Sequence, residues 1–130
     1  MHALAGESIL IVDDNPVNLK LARVILAGEG FAVHTAVDAE DALAVLGRIG
    51  PPRLILMDLQ MPGMDGLELT RRLKKDPELA GTVIVALTAY AMKGDEGKAL
   101  QAGCDGYIAK PIDTRTFGAT IAAYLERNAH

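Results

Sequence analysis

The sequence has no tryptophan and a single cysteine, Cys104, in 130 residues. One thiol cannot close an internal disulfide, and no Cys/His spacing resembles a zinc site, so the fold must rest on its hydrophobic core. The lone cysteine, expected as a small, partly buried thiol, fits a reducing compartment. No apolar run approaches the length of a membrane span, and Met1 to Ser8 lack the basic-then-apolar layout of a signal peptide. The expected location is cytoplasmic, with no membrane partner. Positive charge is also scarce: 13 Lys and Arg stand against 17 Asp and Glu, a formal net charge of -4. No basic stripe could neutralise a run of phosphates, which argues against direct nucleic-acid binding. Arg71-Arg72 and Lys74-Lys75, broken by Leu73 and followed by Asp76 and Glu78, read as a solvated helix face. Both GxxxxGK[ST] and GxGxxG are missing, and Gly94-Asp95-Glu96-Gly97-Lys98 runs into Ala99 at the wrong spacing for a nucleotide loop.

What is present is the balance of one compact domain: half the residues are hydrophobic, 23% are charged, and 13 are glycine. We expect a single domain over 1–130 with its core in about 8–127. Five short apolar runs recur: Ile9 to Val12, Phe31 to Val33, Leu54 to Met57, Val83 to Leu87, and Tyr107 to Ala109. The first, third and fourth are continuous rather than alternating, as in strands of a parallel sheet covered on both faces. Between runs, helical spacing marks Val17, Leu21, Val24 and Ile25, then Ala39, Ala42, Leu43 and Leu46, then Phe117, Ile121, Tyr124 and Leu125. Asp38 and Asp113 stand where N-caps are wanted, and Gly28, Gly30 and Gly103 punctuate helix ends. The expected class is therefore α/β: a five-stranded parallel sheet built from five βα units. The flavodoxin-like strand order 2-1-3-4-5 suits five strands but is assumed rather than read from the residues.

In such sheets ligands sit beyond the carboxyl ends of the strands. There the first strand is followed by Asp13-Asp14, the third by Asp58, the fourth by Thr88 and the fifth by Lys110-Pro111. One Asp at a strand end could simply cap the next helix, but capping does not explain all five polar groups. Three carboxylates at one edge would repel and raise one another's pKa values unless a cation were present. Carboxylate and backbone oxygens with retained waters describe magnesium. Lys110 and the Thr88 hydroxyl could then meet phosphoryl oxygens, with one carboxylate as nucleophile. Asp58, the single carboxylate of the central strand, suits that role, and Asp13 and Asp14 suit the cation.

Four runs resemble the defining motifs of bacterial two-component response-regulator receiver domains: Ile9 to Asn15, Leu56 to Gly66, Leu87-Thr88-Ala89, and Tyr107 to Pro111. The resemblance extends from Ser8 to Leu125 and, through Thr88 to Glu96, to single-domain DivK-like receivers and receivers of hybrid kinases; chemotaxis-type receivers are also similar. It implies that Asp58 is the phosphoacceptor. It also implies that Asp14, Asp58 and the main-chain carbonyl of Gln60 bind Mg2+, that Asp13 helps through water, and that Thr88, with Ala89 beside it, and Lys110 contact the phosphoryl group. The Lys110-Pro111 peptide is expected to be cis. Tyr107 matches the family's aromatic switch, responding to Thr88, but could equally be a half-buried strand aromatic. Tyr90 could partly shield the phosphoryl group or be only a surface ring. Met61 and Met64 are expected to close a loop over apolar surface.

The implied donor is a sensor histidine kinase or a histidine phosphotransfer protein. The implied output is a protein target at the face of the fourth helix, fifth strand and fifth helix. Gly94 and Gly97 should make the fourth helix loose enough to move. A phosphoacceptor that dephosphorylates itself, not an enzyme in the usual sense, is the reading. The short tails favour a stand-alone regulator over a segment of a hybrid histidine kinase. An aspartyl-phosphate phosphatase, the competing enzyme class, would place two Asp one residue apart after the first strand, whereas Asp13 and Asp14 are adjacent. A purely structural module would have no need of these clustered polar groups.

Overall fold

A computed structural model describes residues 7–59, 66–88, 95–110 and 112–127. Strands and helices alternate: β1 Ser8–Val12, α1 Pro16–Gly28, β2 Ala32–Ala36, α2 Ala39–Ile49, β3 Leu54–Asp58, α3 Gly66–Lys74, β4 Val83–Thr88, α4 Asp95–Ala102, β5 Gly106–Ala109 and α5 Phe117–Arg127. A short 3-10 turn at Pro77–Leu79 precedes β4, a feature with no counterpart in the sequence reading. All strand pairings are parallel, and the order is β2-β1-β3-β4-β5. The α/β class and the assumed order both hold.

Successive residues of a strand point to opposite faces, so the continuous apolar runs feed two cores. On one face, Leu10, Val12, Ile55, Met57, Ile84 and Ala86 pack with Ala42 and Val45 of α2, Leu69 and Leu73 of α3, and Ala99 of α4. On the other, Ile9, Ile11, Leu54, Leu56, Val85 and Leu87 meet Ala22 and Leu26 of α1 and Ile121 and Leu125 of α5. Each fully buried Leu or Ile contributes roughly 1.5–3 kcal/mol of burial free energy, so the central strands anchor everything set on their ends.

Local signals place the helix ends. Asp38 caps α2, its side chain accepting from the Asp41 amide at 2.7 Å, and α1 stops before Gly30, whose φ of 95° suits glycine. Asp113 serves a turn ahead of α5: its Oδ1 accepts from Arg115 N, and its carbonyl from Thr116 N and Phe117 N.

Val17 and Val24 belong to the periodic stripe of α1, yet they are 72% and 58% exposed. The helix meets the sheet through Ala22 and Leu26 instead, flanked by Leu19 and Ile25. At 3.6 residues per turn Val24 lies about 200° around the helix from Ala22. Val17, Leu21 and Val24, with Pro16 and Lys20, line a shallow outward groove.

Candidate functional site

Parallel pairing brings the carboxyl ends of all five strands to one edge, and four of the expected site residues meet there. Asp13 follows β1 and is 0% exposed; Asp58 closes β3 and is 1% exposed. Asp14 is exposed. Carboxylate oxygens of Asp13, Asp14 and Asp58 lie within 4.8 Å of one another. Lys110, just beyond β5, spans the site, its Nζ 3.2 Å from Asp58 Oδ1 and 3.6 Å from Asp13 Oδ2.

The Asp13 carboxylate is held asymmetrically. Its Oδ1 accepts a hydrogen bond from the Asn15 amide at 2.9 Å, whereas its buried Oδ2 has no hydrogen-bond partner among the described residues. Burial pushes the Asp13 carboxyl above the ordinary value of 3.8, and the nearby Asp58 charge pushes the same way. The Asn15 amide and the Lys110 ammonium oppose the rise. A buried oxygen without a hydrogen bond, beside two further carboxylates, fits an oxygen-ligated divalent cation such as Mg2+.

Thr88 ends β4 and is 3% exposed. Its carbonyl accepts from the Lys110 amide at 2.7 Å, which ties the β4 and β5 ends together. In the register, Thr88 stands opposite Ala109 and Tyr107 opposite Ala86. Paired residues of parallel strands share a face, so Thr88, two residues beyond Ala86, and Tyr107 lie on the same side of the sheet. Tyr107 is half-buried against the core shared by α2, α3 and α4, and its carbonyl accepts from the Tyr124 hydroxyl at 3.2 Å.

Two residues present in the quoted motifs had no role in the sequence reading. Gly66 begins α3 directly beneath the end of β3: a Cβ there would strike the Asp58 carbonyl oxygen and lie 2.9 Å from Leu59 Cα. Asn15 is the other. A conformational glycine could be suspected from sequence, but not what it would touch. Gln60, Met61, Met64, Ala89, Tyr90 and Pro111, with the expected cis peptide, lie outside the described residues. Cys104 is buried, its thiol 3.9 Å from Thr70 Oγ1. Among the described residues no helix is long and apolar enough to cross a membrane.

Residues 9–122 match the family described as the response regulator receiver domain. The polar-differentiation response regulator DivK of Brucella anthropi is 44% identical over 119 residues, which span 92% of this chain and 96% of that protein. Among solved structures, the chemotaxis protein CheY4 of Vibrio cholerae is similar with a TM-score of 0.86 at 26% identity, covering 92% of this chain and 99% of that one. The signal receiver domain of a signal transduction histidine kinase from Syntrophus aciditrophicus is similar with a TM-score of 0.80 at 30% identity, covering 95% and 89%.

Proposed function

The chain belongs to the response regulator receiver family, and we propose that it is a phosphorylation-activated signalling receiver with Asp58 as phosphoacceptor. The observation that carries this reading is the convergence of Asp13, Asp14 and Asp58 around the Lys110 ammonium at one sheet edge. An Asp58 carboxylate oxygen attacks the phosphorus of a phosphohistidine, the P–N bond breaks, and the imidazole leaves with the bonding electrons and takes up a proton. Lys110, already against Asp58, balances charge on the phosphoryl oxygens, and the Thr88 hydroxyl donates to another. Asp13, Asp14 and Asp58, with the Gln60 carbonyl, would hold Mg2+, which when bound offsets the carboxylate repulsion and the phosphoryl charge. The acyl phosphate later loses its phosphoryl group to water, so the receiver resets itself.

The donor is a sensor histidine kinase or a histidine phosphotransfer protein in the cytoplasm. The switch is Thr88 drawn toward the phosphoryl group, with Tyr107, on the same side of the sheet, following it and α4 shifting. A target protein then reads the face of α4, β5 and α5. We take the chain as a single receiver domain acting as a stand-alone regulator, because DivK, 44% identical, is matched over 96% of its length. Likeness to the receiver of a histidine kinase supports the second reading, a receiver segment of a hybrid kinase.

The test is labelling by candidate phosphohistidine donors. The parent protein should acquire a base-labile phosphoryl group only with Mg2+, and the nearly isosteric Asp58→Asn should acquire none while remaining folded. Full labelling of that variant would move the acceptor elsewhere.

A further inference from the structure

We infer that Asn15 is a positioning residue for the cation site: it couples the start of α1 to the orientation of the Asp13 carboxylate. This rests on the cation reading of the same site. An α-helix begins with amides that have no partner within the helix. In α1 they are served locally. Pro16 has no N–H, Val17 N and Asn18 N donate to Asn15 Oδ1 at 2.9 and 3.2 Å, and Leu19 N donates to the Asn15 carbonyl at 3.0 Å. The same residue turns its own amide back onto Asp13 Oδ1 at 2.9 Å.

Two consequences follow. The amides of α1 that could have faced a phosphoryl group are already engaged, which leaves the anion to other groups. And the terminal torsion of an aspartate, normally soft, is pinned: with Oδ1 clamped and Asp13 N donating to Ala36 O at 3.1 Å, Oδ2 is held 3.6 Å from Lys110 Nζ, with no hydrogen bond among the described residues. Truncating the Asn15 side chain leaves the clamping amide in place but frees the loop that aims it. The damage should therefore register as weaker cation binding, beyond a loss of helix stability.

The experiment is calorimetric titration of the full chain with Mg2+ alone, paired with amide exchange at residue 15 in chelator. Asn15→Ala should bind Mg2+ about fivefold more weakly, the factor matching a lost N-cap, and its residue-15 amide should exchange faster. Asn15→Ser, which can still cap, should restore both. Asp76→Ala removes a cap from the 3-10 turn at Pro77–Leu79, where Asp76 Oδ1 accepts from Glu78 N; it should leave Mg2+ affinity unchanged. Parent-like affinity in Asn15→Ala, equal weakening in Asp76→Ala, or failure of serine to rescue would each overturn the coupling. If Asn15→Ala does not fold, Asn15→Ser alone decides, since weakened binding in a capped variant contradicts the inference. A parent protein that binds no Mg2+ would instead overturn the cation reading on which it rests.

Discussion

Replacing Asp13 by asparagine should stabilise the metal-free protein while removing most of its response to Mg2+. Asp13 is 0% exposed, and one of its oxygens lacks a hydrogen bond among the described residues. At an effective dielectric near 20, Lys110 Nζ at 3.6 Å supplies about 4–5 kcal/mol of attraction. Asp58, with oxygens within 4.8 Å, returns at least about 3.5 kcal/mol of repulsion. The two nearly cancel, so the Asn15 amide is the main offset to the desolvation of a buried carboxylate, and desolvation still prevails. Asp13→Asn keeps the shape and the acceptor facing the Asn15 amide but drops the charge. In chelator at neutral pH it should be about 1–2 kcal/mol more stable than the parent. With free Mg2+ at about a hundred times its Kd, the parent should gain about 2.7 kcal/mol and overtake the variant. Because the folded-state carboxyl is raised above 3.8, its contribution to stability is fully present below the unfolded value and is lost as pH rises through the raised one. The advantage of Asp13→Asn should therefore shrink as pH falls toward 4. Urea unfolding followed by circular dichroism, with chelator and with Mg2+ across pH, measures all of this. A variant less stable than the parent in chelator, or one that responds equally to Mg2+, would refute the reasoning.

Gly66→Ala should damage the site more than the fold: the atoms nearest the new Cβ are backbone of Asp58 and Leu59, which cannot swing aside, and shifting Asp58 by about 1 Å can cost a factor of about 100 in reactivity. Gly118→Ala is the control, because there the Cβ meets the movable Glu29 side chain; phosphodonor labelling that falls equally in both variants would remove Gly66 from the site. Thr88→Ala should still permit labelling of Asp58 but uncouple it from partner binding, and beryllofluoride should change amide exchange in α4 far less than in the parent. Unchanged exchange responses together with unchanged partner affinity would send the signal by another route.

The sequence alone determined the alternation of strands and helices, because a strand buried on both faces must be apolar at nearly every position. It also made the strand-end residues legible: once five strands run parallel, Asp13, Asp14, Asp58, Thr88 and Lys110 stand at one edge whatever the details of packing. The helical period of α1 was equally plain, but α1 carries two apolar stripes, and only docking on the sheet decided that Ala22 and Leu26 go in while Val17 and Val24 stay out. The same holds within the site. Adjacent aspartates look alike in sequence, yet Asp13 is buried and clamped by the Asn15 amide while Asp14 faces solvent. The need for glycine at position 66 comes from the Asp58 carbonyl above it. Local patterning can specify which element forms and at which end its polar residues sit. Which side of a helix meets the sheet, which oxygen of a carboxylate is held, and where no Cβ can fit are set by distances between elements, and only tertiary packing decides those.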